Sequence, residues 1–274
     1  MSGWLLTQKA AIDEDLDASA LTELISMESS KQISSIVLNS SRPRRGIDVG
    51  ELFDIKPIHN GDNVVIRGDL ARLHRLANGW HSVALLVEGS VGSQFAVNMR
   101  SGKVQVDGSV GDGLATQMRG GEVRVVGSAG ACVGAPLPGR RSGMSGGRVV
   151  IGGDAGHSLG YRLRRGMLWV HGNCGDGAGR DMVAGTIVIS GNTGMHLGAG
   201  MKRGTIVIAT KPVLDAPRFT KPCNVQLGVA ALLAANLESE SRLLVSGLRG
   251  RFDRVLGDMT ARGKGEIWML PCGR

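Results

Sequence analysis

His157 and Asp176 are the two residues of this chain best spaced for acid–base chemistry. Each stands four residues after a glycine, Gly153 and Gly172, and each of those glycines opens a G-x-x-G motif. The two glycines are 19 residues apart. If successive motifs stack as strands, the two side chains lie about one strand spacing apart, roughly 4.8 Å, close enough for a carboxylate to orient an imidazole. The equivalent positions of the neighbouring repeats hold Ala131 and Met195. No third catalytic or metal-ligating group therefore joins the pair, and a surface histidine beside a carboxylate is the plainer expectation.

The other chemistry-bearing residues reduce in the same way. Cys132, Cys174, Cys223 and Cys272 are scattered with no C-x-x-C spacing, so neither structural zinc nor a disulfide framework is expected and the thiols read as reduced. Cys174 stands two residues after its motif glycine, where Val91, Ala129 and Ala155 recur, and is expected to be a packed thiol. The glycine-rich segments lack the G-K-[ST] ending that a phosphate cradle needs. The expectation is no catalytic residue and no metal ligand on this chain.

One cationic pattern stands apart. Arg100, Arg119, Arg164 and Lys202 each fall eleven residues after a motif glycine, with Arg162, Arg165 and Arg203 beside them. Read as a surface these residues form a strip, either merely solvated or docking an acidic subunit or polyanionic cofactor tail. The net charge of +8 and pI near 9.8 favour an anionic partner. With only four Phe, four Trp and one Tyr, the chain has no aromatic platform for nucleic acid.

These residues are placed by a repeat. The motif glycines fall at 89, 108, 127, 153, 172 and 191, in steps of 19, 19, 26, 19 and 19. Two positions before each stands Val87, Val106, Val125, Ile151, Val170 or Ile189, and four before stands Leu85, Val104, Val123, Val149, Leu168 or Ile187. Such alternation predicts a half-buried strand. Ten positions after the glycine come Met99, Met118, Leu163, Met182 and Met201, and Met144 fills the same slot in the repeat with the longer step, predicting an internal ladder of flexible apolar side chains. A 19-residue unit has no room for a βαβ crossover or a propeller blade. The expected fold is all-β dominated: a right-handed parallel β-helix with 19-residue turns, an N-terminal cap and a C-terminal helix. The longer step is explained by seven extra residues around Ala135 to Arg141, expected as a surface loop.

Three regions follow: a cap over 1–60, the repeats over 61–209, and a loop, helix and tail over 210–274. In the cap, Asp15 to Met27 reads as helical, Ile33 to Leu38 and Glu51 to Ile58 as strands, and Val64 to Gly68 as a half-formed turn. Thr210 to Cys223, with Pro212, Pro217 and Pro222, reads as a loop. Leu232, Leu233, Leu237, Leu243 and Leu244 predict one helix within Leu227 to Gly250 lying on the repeats, and Gly263 to Leu270 a last β segment. No secretory leader is recognisable after Met1 and no apolar run reaches the length of a membrane span, so a soluble cytoplasmic protein is expected.

The glycine pattern carries a resemblance. Gly172-Asn173-Cys174-Gly175-Asp176-Gly177-Ala178-Gly179 and Gly191-Asn192-Thr193-Gly194-Met195-His196-Leu197-Gly198, with Gly198-Ala199-Gly200-Met201-Lys202-Arg203-Gly204-Thr205-Ile206-Val207-Ile208, resemble the β-helix of two groups. These are the carboxy-terminal domain of the glutamate synthase large subunit and the C-type subunit of formylmethanofuran dehydrogenase. Phe252-Asp253-Arg254-Val255-Leu256-Gly257-Asp258 and Gly263-Lys264-Gly265-Glu266-Ile267 are similar to the ending of the formylmethanofuran dehydrogenase group. The resemblance spans roughly residues 60–274. The Ala-, Arg- and Ser-rich composition resembles the bacterial form, the formyltransferase/hydrolase complex. The archaeal tungsten or molybdenum dehydrogenase and a glutamate-synthase-like module lining a tunnel are the alternatives. The resemblance implies a four-subunit complex that moves a formyl group from formyl-tetrahydromethanopterin to methylofuran and releases formate. It places the metal and the hydrolase chemistry on one partner subunit and formyl transfer on another, with a further small subunit beside them. This chain would then be a scaffold, holding no cofactor beyond a possible contact with methylofuran's polyglutamate tail, within a hetero-oligomer that binds neither nucleic acid nor membrane.

Overall fold

The computed structural model describes residues 3–40, 46–58, 63–215, 217–237 and 241–271; Cys272 and the Leu243 side chain lie outside the described residues. The chain opens with β1 (Gly3–Gln8), β2 (Leu16–Asp17), a 3-10 turn over Ser19–Ile25, α1 (Ser30–Ser34), β3 (Val37–Ser40), β4 (Gly46–Asp48), α2 (Val49–Leu52) and β5 (Phe53–Ile58). The stacked strands follow: β6 (Asn63–Arg67), the short β7 (Leu73–His74), β8 (Ala84–Glu88), β9 (Lys103–Val106), β10 (Glu122–Val125), β11 (Ser145–Ile151), β12 (Arg165–Val170), β13 (Thr186–Ile189) and β14 (Arg203–Ile208). The chain closes with β15 (Cys223–Val225), α3 (Gly228–Leu237), α4 (Arg242–Arg249), β16 (Phe252–Gly257) and β17 (Lys264–Met269).

Among the described residues these strands build a thirteen-stranded sheet in the order β15-β16-β17-β14-β13-β12-β11-β10-β9-β8-β6-β1-β5, parallel from β1 through β17 and antiparallel only at its two ends. Its register matches the repeat: Val104 pairs with Val123, Val123 with Val149, Leu168 with Ile187 and Ile187 with Ile206. A second column of parallel bridges runs Val91, Val110, Ala129, Ala155, Cys174, Thr193. A third joins the Met positions, where the Arg119, Ser145, Arg164, Val183 and Lys202 N–H groups donate to the carbonyls of Met99, Met118, Met144, Leu163 and Met182 at 2.7–2.9 Å. Each repeat therefore touches the next along three lines.

Proximity requires the motif glycines, and at Gly89, where φ is +149°, the dihedral does as well. A Cβ on Gly108 would sit 2.5 Å from the Gly89 carbonyl oxygen, and one on Gly191 2.5 Å from that of Gly172. Seven residues further on, φ is positive in every repeat, at Ala96, Ala115, Gly134, Gly160, Gly179 and Gly198. A Cβ at Gly179 would meet Ile206 Cδ1 at 2.6 Å, so the later repeats, which carry Ile beneath this position, need glycine where the earlier ones tolerate alanine.

The position after each motif glycine is always a short polar residue, and the structure explains it. Ser90 Oγ accepts from the Ser109 N–H at 3.0 Å, Ser109 Oγ from Ser128 at 3.1 Å, Ser128 Oγ from Asp154 at 3.1 Å, Asp154 Oδ1 from Asn173 at 2.6 Å and Asn173 Oδ1 from Asn192 at 2.9 Å. Side chains thus satisfy backbone donors that the turning strand leaves unpaired.

Met99, Met118, Met144, Leu163, Met182 and Met201 are all fully buried in one core with the inward strand residues. A second core lies on the opposite face of the sheet, where Trp169, Val188, Val207 and Trp268 meet Ala230, Ala234 and Leu237 of α3 and Leu244, Val245 and Leu248 of α4. The expected single C-terminal helix is two helices, and Ser241 Oγ caps the second by accepting from the Leu244 N–H. The face of α3 also differs from expectation. Its alanines approach the tryptophan-bearing sheet, leaving Leu232 69% exposed and Val229 57%.

The N-terminal region departs further from the periodicity. β1 is a full rung of the large sheet beyond β6, and β6 (Asn63–Arg67) is a complete strand where Val64 to Gly68 was expected as a half-formed turn. Leu16 pairs with Leu73 and Ser40 in a four-stranded sheet of order β4-β3-β2-β7, and the helical part of Asp15 to Met27 is a short 3-10 helix over Ser19–Ile25. A capping box between Ser29 and Gln32 starts α1 where a strand was expected at Ile33. At Glu51 a helical turn precedes the strand, which begins at Phe53. The insertion leaves after Ala135, whose carbonyl still accepts from Gln117, and rejoins at Gly143, whose N–H donates to Arg162. It therefore spans 136–142, one residue later than the spacing suggested, and Pro138 to Arg141 are exposed.

Candidate functional site

His157 and Asp176 do line one cleft of about 620 Å³, together with Arg180, Asp181, His196 and Arg218. The chemistry of the pair is nevertheless occupied by architecture. Asp176 Oδ1 accepts the Met195 N–H at 2.7 Å, just as Asp112 Oδ1, at the same position of an earlier repeat, accepts the Ala131 N–H at 2.7 Å. Both carboxylates cap the next repeat. Among the described residues no hydrogen bond or ion pair joins the His157 and Asp176 side chains.

The rest of the cleft has no counterpart in the repeat. His196 Nδ1 lies 2.9 Å from Asp215 Oδ2. Arg218 donates to Asp258 Oδ2 at 3.0 Å, and that carboxylate also accepts from the Gly200 and Thr260 N–H groups. Asp258 is fully buried. Burial would push its carboxyl up, but the hydrogen bonds from Thr260, Gly200 and Arg218 outweigh it and hold the group below the usual carboxylate range. This cluster ties the C-terminal segment to the Met201 repeat. Its partners are 40 and 58 residues apart in sequence, so the periodic pattern contained no signal for it.

Two cysteines are quiet. Cys174 is 6% exposed, and burial pushes its thiol up to about 12. Cys132 is half-buried and shifted up in the same way, burial first and the Asp112 charge second. Cys223 is exposed. Among the described residues no group of three His, Cys, Asp or Glu side chains could hold a metal ion, and no helix is long and apolar enough to cross a membrane. A separate, more apolar pocket of about 600 Å³ lies between the Pro212–Pro222 loop and β16, floored by Phe219, Phe252, Val255 and Leu270.

The hydrogen bonds of the third column put Arg100, Arg119, Ser145, Arg164, Val183 and Lys202 on successive repeats in one row. Arg100, Arg119, Arg164 and Lys202 are exposed. Arg165 and Arg203 stand in the adjacent row, where Arg203 pairs with Lys264, a cation the repeat alone did not reveal. Arg162 sits apart from both rows. Its guanidinium lies 5.0 Å from the Tyr161 ring, with Arg180 at 4.8 Å from the same ring, and 4.0 Å from Asp181.

No protein-family model matches the chain, and no curated protein matches it. Solved structures do. The crystal structure of the formyltransferase/hydrolase complex FhcABCD from Methylorubrum extorquens, in complex with methylofuran, contains a chain 32% identical to this one. The match covers 97% of this chain and 99% of that one, with a TM-score of 0.89. Similarity of that extent reaches the N-terminal sheets and the C-terminal helices as well as the repeats. The chain therefore belongs to the family of the formyltransferase/hydrolase-complex subunit that it matches.

Proposed function

We propose that this chain is the C-type subunit of a formyltransferase/hydrolase complex, built as a right-handed parallel β-helix and acting as a non-catalytic scaffold. The complex would move a formyl group from formyl-tetrahydromethanopterin to methylofuran and release formate in the cytoplasm. The observation that carries this reading is the end-to-end match, 97% of one chain and 99% of the other, to a chain of such a complex. The three columns of contact at a 19-residue period support the coil. The scaffold role is supported by how the polar groups are used: Asp112, Asp154, Asp176 and Asp258 each accept backbone N–H bonds within the chain. Metal-dependent hydrolysis and formyl transfer then belong to partner subunits, and the assembly includes one further small subunit.

Purification of the tagged chain from its native host tests this, with mass-spectrometric identification of what stays attached. A metal-dependent hydrolase and a formyltransferase chain are expected in fixed ratio. Purification alone, or with a molybdenum- or tungsten-containing dehydrogenase chain, would overturn the assignment.

A further inference from the structure

Several arginines elsewhere on this protein are paired with its own carboxylates. Arg75 pairs with Asp17 at 2.9 Å, Arg254 with Glu266 at 2.8 Å, Arg218 with Asp258 at 3.0 Å and Arg67 with Glu88 at 2.5 Å. The two rows at the Met-side corner differ. Among the described residues no carboxylate lies in salt-bridge distance of Arg100, Arg119, Arg164 or Lys202, nor of Arg165, Arg203 or Lys264. All seven are exposed. The repeats between them carry Ser145, Val183 and Ala184, so nothing within the rows offsets the charge. Glu122, across from Lys103 by register, is ion-paired with none of them.

Geometry makes the rows a surface rather than a scatter of side chains. Arg119 N–H donates to the Met99 carbonyl at 2.8 Å and Lys202 N–H to that of Met182 at 2.7 Å, so the Cα positions are fixed by the same stack that buries the methionines. Successive positions recur at about the 4.8 Å strand spacing, and the strip runs from the Met99 repeat to the Met201 repeat. Like charges one or two strand spacings apart are tolerated in water but favour any surface that brings carboxylates to them.

We infer that these rows form the face on which an acidic surface of a partner protein docks, an inference that rests on the hetero-oligomeric reading above. A protein partner suits the rows better than nucleic acid, because no aromatic residue stands within them to stack a base. A folded acidic surface can present carboxylates over the whole length at fixed spacing, and its attraction would weaken as salt shortens the screening length below about 10 Å.

The test replaces Arg119→Glu and Arg164→Glu together in the full-length tagged chain, expressed in its native host and purified across a salt series. Wild type is expected to retain its partner chains at about 0.1 M salt and release them progressively above it. The double reversal is expected to lower retention about tenfold or more at low salt, with the melting temperature of the isolated chain unchanged. Should the reversal fail to fold, Arg119→Gln with Arg164→Gln is expected to give a smaller loss, about threefold, in the same direction. Retention and salt response equal to wild type would overturn the inference while leaving the proposed function standing. So would a reversed chain that assembles normally but loses its binding to a synthetic poly-aspartate probe, since the rows would then read a free polyanion. Wild type that retains no other chain would remove both readings.

Discussion

Two stretches of the large sheet, β9–β10 and β12–β14, share one inner face and differ on the outer one. On β9 and β10 the outward residues are Gln105, exposed, and Arg124, half-buried, so burial alternates strand-wise between in and out. On β12, β13 and β14 the outward Trp169, Val188 and Val207 are as buried as their inward neighbours, because α3 and α4 cover them. The inner core is therefore generated by stacking alone, whereas the outer core is an addition that the C-terminal segment makes over part of the length. Alternating strands face water on one side, and continuous apolar strands are covered on both.

Breaking the inner column should have the largest effect, and the same effect at either end. Met99→Asp and Met182→Asp each put an unpaired charge at a fully buried position, at a cost of several kcal/mol. Thermal unfolding is expected to show both variants severely destabilised or insoluble. A normal melting temperature for either would mean that the column is not one continuous core.

The outer face should separate the two regions. Trp169→Ala, under the helices, is expected to cost about 3–5 kcal/mol. Leu86→Ala, on the half-buried uncovered face, should cost about 1 kcal/mol. Denaturant titration checks the pair, and equal costs would contradict the idea that α3 and α4 build a second core.

The smallest perturbation is chemical labelling, which sharpens the contrast without mutation. Cys174, with its thiol pushed up to about 12 under one column of the stack, should resist iodoacetamide at pH 8 while exposed Cys223 reacts. Mass spectrometry of the labelled peptides checks this. Rapid modification of Cys174 in the native chain would show that its repeat opens readily.

What the sequence made legible was whatever recurs. The strand register, the methionine column and the row of Arg100, Arg119, Arg164 and Lys202 all follow from a 19-residue period. The caps formed by Ser90, Ser109, Ser128, Asp154 and Asn173 share that period. A short polar residue beside a glycine looks like a plain turn, however, until the next repeat is laid against it. The unbroken Val149-Val150-Ile151 and Ile206-Val207-Ile208 runs carried a sign of the cover, which reading them as alternating, half-buried strands passed over. What could not be read rests on single long-range contacts. β1 joins the sheet through Leu5 and Val65, and Asp258 reaches Arg218 and Gly200; none of these belongs to a period. The cleft around His196 was hidden for the same reason, while the Asp176 carboxylate beside it proved to be a cap.

In the proposed function this chain holds an enzyme together without performing its chemistry. Omission from the reconstituted complex tests it most directly: formyl transfer and formate release are measured for all subunits together, for the set lacking this chain, and for this chain alone. The account predicts activity only from the full set, none from the isolated chain, and failure of the remaining subunits to co-elute when this chain is left out. Turnover by the isolated chain, or a fully active assembly without it, would contradict the account.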